Sequence, residues 1–210
     1  MAELAVRPAS ERPATAVPVS PGRPQYRYTV EQYLAFERGS PTKHEYYDGN
    51  IYAMTGASRR HVLIVTNLIS SLATRLRDRP CEVYGTDMRL KVRETGLYTY
   101  PDVTVACGEP QFEDREVDTL LNPQVVIEVL SKSTRDYDLS GKFEHYANVV
   151  SLGDYVLISQ DERHVEHRVR QSDGTWIASE HRRPDAVVVL SSIGCDLPLS
   201  EIYRRIRFPA

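Results

Sequence analysis

The sequence predicts an α/β protein of the mixed α+β kind: a central mixed β-sheet flanked by helices, with additional β-hairpins. Three observations carry this. The segments run helix, hairpin, long helix, several strands, helix, strands, helix, an order that suits a mixed sheet covered by helices. "QVVIEVLS" is a short, nearly continuous apolar run, as a strand buried on both faces must be. "SRRHVLIVTNLISSLATRLRD" repeats apolar residues at helical spacing and can cover such a sheet. At 210 residues, with 41% apolar and 26% charged, the chain suits one soluble globular domain, placed at 26–210.

The elements follow in order. Residues 1–25 hold Pro8, Pro13, Pro18, Pro21 and Pro24 without periodicity and read as a disordered tail. In "YTVEQYLAFERGS", Thr29 and Gln32 form a capping-box pattern, and Gly39 ends the helix. "HEYYDGNIYAM" is a hairpin turning at Asp48-Gly49. Ser58 caps the long helix, whose stripe Val62, Val65, Leu68, Ile69, Leu72 and Leu76 is assigned to the core. "MRLKV" alternates, and "YPDVTVAC" and "QVVIEVLS" are further strands. "RDYDLSGKFEHYANV" reads as a helix weakened by Gly141. "DYVLIS", "HVEHRVR" and "DAVVVLS" are strands, "SDGTW" is a hairpin turn, and "PLSEIYRRI" is a closing helix.

Three carboxylates stand where the pattern does not want them. Glu128 interrupts an apolar strand, Asp102 opens another, and Glu45 enters the hairpin. An unpaired carboxylate in the interior costs several kcal/mol, on the order of 3–5 when its partner is removed. If the strands bearing Asp102 and Glu128 pair, the two anions stand side by side and need a proton or a cation. Oxygen ligands of this type suit Mg2+ or Mn2+. Lys142, with Tyr146 one helical turn on, is the cationic companion. Two strand carboxylates, a hard cation and a lysine are what phosphodiester hydrolysis requires.

This ordered set resembles the Uma-two family of restriction endonucleases, within the PD-(D/E)XK nuclease superfamily. The segments that carry the likeness are "YTVEQYLAFE", "KHEYYDGNIYAMTGAS", "YPDVTVACGEP", "NPQVVIEVLSKSTRDYDLSGKFEHYANV" and "HVEHRVRQSDGTW", covering about residues 26–206. The resemblance implies a restriction-endonuclease-like core and a Mg2+-dependent (or Mn2+-dependent) endonuclease acting on DNA through metal-activated water. It makes Asp102 and Glu128 catalytic metal ligands, with Glu45 and the carbonyl of Val129 as further ligands. The lysine that the superfamily places two residues after the acidic residue is absent, because that position is Leu130. The family's K-F-x-x-Y pattern assigns the role to Lys142, with Lys132 as second choice. Ser131 and Thr134 are expected to brace the strand end. Such nucleases pair to cut both strands, so a homodimer is expected. The alternatives are a catalytically weakened nucleic-acid- or protein-binding module of the same fold, and a phosphohydrolase acting on RNA or nucleotides.

The net charge of −3 gives no global signature of nucleic-acid binding, but a local basic patch suffices for it. Arg59, Arg60 and His61 open the long helix and could meet phosphate or simply be solvated. His164 and His167 point to opposite strand faces, and His164, Glu166, Arg168 and Arg170 are read as one solvated face. Cys81, Cys107 and Cys195 are far apart and odd in number, so no disulfide framework is expected and a cytoplasmic location is. No membrane span, phosphate-cradling glycine loop or organic cofactor is expected.

Overall fold

The computed structural model describes residues 27–131 and 135–208, together with the backbone of Val6–Arg7. The tail assigned to 1–25 therefore lies outside the described residues, apart from β1 (Val6–Arg7), a short strand running parallel to Ile51 and Tyr52.

The mixed α+β architecture is as the sequence predicts. Among the described residues its strands are shared among two six-stranded sheets and one two-stranded ribbon. Helix α1 (Val30–Gly39) starts at the capping box: Gln32 donates to the Thr29 hydroxyl, and the Gln32 side chain accepts from the Thr29 N–H. The hairpin of β2 (His44–Tyr47) and β3 (Asn50–Ala53) turns at Asp48 and Gly49, with φ of 46° and 76°. Both are left-handed, as a two-residue hairpin turn demands. A side chain at Gly49 would also meet Arg27 Cβ at 2.7 Å. Strands β5 (Arg89–Val92), β6 (Leu97–Thr99) and β8 (Thr119–Leu120) complete the first sheet, in the order β1-β3-β2-β6-β5-β8.

The second sheet has the order β12-β11-β10-β9-β7-β4, built from β4 (Cys81–Tyr84), β7 (Val103–Cys107), β9 (Val125–Leu130), β10 (Asp154–Ser159), β11 (Val165–Arg170) and β12 (Trp176–His181). Only β9 and β10 run parallel in it. The ribbon of β13 (Val187–Leu190) and β14 (Cys195–Pro198) leads into α4 (Leu199–Ile202).

Alternation along β9 divides the interior. Val125, Ile127 and Val129 join the core beneath α2 (Arg59–Arg75), with Ile64, Leu68 and Leu72. Val126 and Leu130 join a second core with Tyr146, Tyr155 and Leu157. The α2 stripe lies in the core as predicted at Val65, Leu68, Leu72 and Leu76, with Ile69 packed against it. Only the first turn differs: Ile64 is fully buried, while Val62 is 53% exposed. The predicted helix after β9 is present over 135–146, with a π turn at Tyr137–Gly141 leading directly into α3 (Lys142–Tyr146). Gly141, a poor helix former, sits where the widened turn closes.

Two further corrections concern side chains. Cys81 and Cys107 are joined by a disulfide, because they stand opposite one another in the β4–β7 register. Distance along the chain hid that adjacency. The face of Glu166, Arg168 and Arg170 is half-buried rather than solvated. Arg168 lies over the Phe143 ring and Arg170 over Trp176, while Arg170 also donates to the carbonyls of Ala147, Val149 and Leu152 beyond α3. His164 falls just before β11, and His167 is buried against Asp154 at 2.7 Å.

Candidate active site

Four elements bring the site together. The β7–β9 register pairs Val103 with Ile127, so Asp102 stands one step beyond, opposite Glu128. The β2 strand carries Glu45 from the first sheet, anchored by Thr99 of β6, whose hydroxyl donates to Glu45 Oε1 at 2.6 Å. The π turn and α3 bring Asp138, Lys142 and Tyr146 down on Glu128.

Lys142 is the hub. Its Nζ lies 2.9 Å from Glu128 Oε1, 3.2 Å from Asp138 Oδ1 and 3.5 Å from Glu45 Oε1. The Tyr146 hydroxyl donates to the same Glu128 oxygen at 2.9 Å. All of these groups are buried, Lys142 being only 3% exposed. Asp102 is held differently: Oδ1 meets His61 Nε2 at 2.9 Å, and Oδ2 accepts the Val129 N–H at 2.8 Å. His61 is fixed in turn because its amide donates to the Ser58 hydroxyl. That hydroxyl also reaches Gln160, whose amide donates to the Leu130 carbonyl. A cavity of about 730 Å3 opens above these groups, with Glu45, His61, Asp102, Glu128 and Lys142 in its wall.

The electrostatics follow from burial and crowding. Burial pushes the Glu128 carboxyl up to about 8, with Lys142 opposing and Asp138 and Asp102 adding to the rise. Burial works against the charge of Lys142, but Glu128, Asp138 and Glu45 outweigh it and hold its pKa well above the usual lysine value. The Tyr146 hydroxyl is raised far above its ordinary value, first by burial and then by Glu128.

Glu45, Glu128 and Lys142 therefore come into mutual contact, and Asp102 faces the same cavity. Val129 takes part through its N–H to Asp102. Lys132 and Thr134 lie outside the described residues, and Ser131 lines the cavity. Sequence reasoning missed Asp138, although its place one turn before Lys142 was legible. It also read His61 as a phosphate contact or a solvated residue, whereas the imidazole faces Asp102. Nothing in the local pattern signals that pairing, which depends on where α2 docks.

Residues 30–200 match the model of the family Uma2, described as "Putative restriction endonuclease". The chain belongs to the Uma2 family. Two proteins of Synechocystis sp. are similar to it, each named only as an uncharacterized protein. The first, slr1290, is 35% identical over 90% of this chain and 98% of its own length. The second, sll1609, is 35% identical over 78% of this chain and 92% of its own length. The fold matches a crystal structure from Anabaena variabilis, described as "a putative nuclease belonging to DUF820", with a TM-score of 0.68. That match covers 83% of this chain and 97% of the other at 19% identity, a likeness of fold. The family resemblance read from the sequence is thus borne out, and this Uma2 chain shares its fold with that protein. No helix among the described residues is long and apolar enough to cross a membrane.

Proposed function

We propose that this Uma2 protein is a divalent-cation-dependent endonuclease that hydrolyses DNA phosphodiester bonds and leaves a 5′-phosphate. The observation that carries this is the contact of Lys142 with Glu128, Asp138 and Glu45 at a cavity that Asp102 also lines. Several carboxylates face one ammonium group there, and a cation would offset the surplus negative charge.

The donor set fits Mg2+ or Mn2+ in chemistry, being hard oxygen throughout. As the side chains stand, no three His, Cys, Asp or Glu groups among the described residues are gathered to hold an ion. Asp102 and Glu128 would hold it by exchanging their present partners, with Glu45 and the Val129 carbonyl in support. When bound, the cation supplies an acidified water and neutralises charge developing on phosphate.

The protein's own groups do the rest. Lys142 keeps its proton, so it acts as a fixed positive charge for phosphate and not as a base. Glu128 and Asp138 fix its direction, and the Tyr146 hydroxyl holds Glu128 in turn. His61 and the Val129 N–H orient Asp102. Thr99 orients Glu45. Two copies would bring two such sites to the two strands of a duplex.

The test is plasmid nicking with Mg2+ or Mn2+ by wild type, Asp102→Ala, Glu128→Ala and Lys142→Ala, with RNA and nucleotides run alongside. Metal-dependent cutting of DNA that all three changes abolish is the expected result. Hydrolysis confined to RNA or nucleotides, or no hydrolysis by wild type on DNA of varied sequence and methylation, refutes the proposal.

A further inference from the structure

Next to the catalytic cavity lies a smaller cleft of about 420 Å3, lined by Arg59, Arg60, Arg205, Ile206 and Arg207. Arg60 lines both, so the two adjoin at that side chain. One wall is the first turn of α2. The other is the segment after α4.

That segment is pinned. The buried Asn67 amide donates to the carbonyls of Ile202 and Arg204, at 3.0 and 2.9 Å. The Ile206 N–H bonds the Tyr203 carbonyl, and the Phe208 ring packs edge-on against Tyr203. The Arg163 guanidinium lies over Phe208, adding a further positive charge behind the wall. Arg205 and Arg207 are thus presented by a tied-down backbone, which lowers the entropy lost when they engage a ligand.

The charge in the cleft runs against the whole protein, which is −3 overall. Arg60 pairs with Asp161 at 2.9 Å. Arg59, Arg205 and Arg207 are exposed, and no carboxylate among the described residues pairs with them. Like charges held together repel, so a cluster of this kind is favoured only when an anion occupies it. A planar guanidinium matches the oxygens of a phosphate in a bidentate manner. Four guanidiniums lining one cleft suit a polyanion better than a single small anion.

We propose that this cleft is a backbone-binding channel for DNA. It takes phosphates flanking the bond placed at Lys142 and hands the strand past Arg60 into the catalytic cavity. The proposal rests on the nuclease reading for the identity of the ligand. It adds a binding site away from the carboxylates, with Arg60 and Asp161 as the junction. Asp161 acts there as a built-in competitor, since it occupies Arg60 until a phosphate displaces it.

The experiment is fluorescence anisotropy of a labelled DNA duplex with the full chain, in EDTA and across a salt series, so that binding is read without cutting. The triple variant Arg59→Gln, Arg205→Gln, Arg207→Gln is expected to weaken binding at least about tenfold. It should also flatten the slope of log K against log salt by about 0.9 for each phosphate that the variant no longer neutralises. Asp161→Asn is expected to tighten binding by a few fold, because it frees Arg60. All four positions are exposed or half-exposed, so thermal unfolding checks that each variant is folded. Unchanged affinity and slope in the triple variant, or no DNA binding by wild type, overturns the channel. Arginine-dependent binding by a wild type that never cuts with Mg2+ or Mn2+ leaves the channel standing and removes the nuclease reading.

Discussion

Replacing Lys142 with methionine keeps the unbranched apolar stem of the side chain and removes its ammonium group. The structure fixes what that does. The ammonium contacts Glu128, Asp138 and Glu45 within 3.5 Å, and all three carboxylates are buried. Removing one partner of a buried ion pair costs about 3–5 kcal/mol, because the other charge remains in a poorly solvating place. With a urea m-value of about 3 kcal/mol/M, the unfolding midpoint falls by ~1–1.7 M. The deficit depends on pH, and its sign follows from Glu128. Its folded pKa of about 8 lies above its ordinary 4.5, so the folded state keeps a proton that the unfolded chain releases. The stability carried by that proton is present below pH 4.5 and lost as pH rises through 8. Lys142 draws that pKa down, so its removal extends the window upward and makes the deficit larger at pH 8 than at pH 5.5. Adding Glu128→Gln to Lys142→Met removes the carboxylate nearest the missing charge and recovers at least about 2 kcal/mol. Urea unfolding of wild type, both single variants and the double variant at the two pH values measures all of this. A midpoint unchanged in Lys142→Met, or single effects that simply add in the double variant, would refute the reasoning.

Three other outcomes are expected. Because Glu128 must shed its proton to take a cation, Mg2+ affinity should climb by up to about tenfold per pH unit from 6 to 8 and then level off; calorimetric titration in two buffers should show proton release, and a pH-independent affinity would sink the assignment. His61→Ala should lower the nicking rate by about 10–100-fold while barely moving the unfolding midpoint, since it removes an orienting partner of Asp102 and little packing; an unchanged rate would make the contact incidental. Arg89→Met should destabilise the protein by about 3 kcal/mol in urea unfolding, because the buried guanidinium binds Thr119 and Tyr100 and pairs with Asp118; a loss below ~0.5 kcal/mol would show that the network carries no stability.

Much of this was legible in the sequence because the signals are local. Asp48-Gly49 fixes the hairpin that carries Glu45, and Thr29 with Gln32 fixes the start of α1. Glu128 was conspicuous because a carboxylate breaks an apolar run, and its answer, Lys142, sits one element later in a recognisable pattern. What stayed hidden is non-local. β6 and β8 are too short to show a period. The Cys81–Cys107 bond and the His61–Asp102 contact each join elements whose adjacency no spacing reveals. The α2 stripe was legible except in its first turn, where Ile64 is buried and Val62 exposed. Glu37, His44 and Arg89 are buried charged or polar groups in a mutual network, and composition marks such residues as surface ones.

The spread of the site along the chain bears on how the protein is made. Glu45 and Asp102 leave the ribosome first, but Glu128 is seated only when β9 has β10 beside it, and Lys142 arrives between them. A nascent chain that ends before α3 has the carboxylates of Glu45, Asp102 and Glu128 and no Lys142 charge at their centre. A nuclease arranged this way would be harmless throughout its own synthesis, and it would acquire its chemistry only once the second sheet had closed.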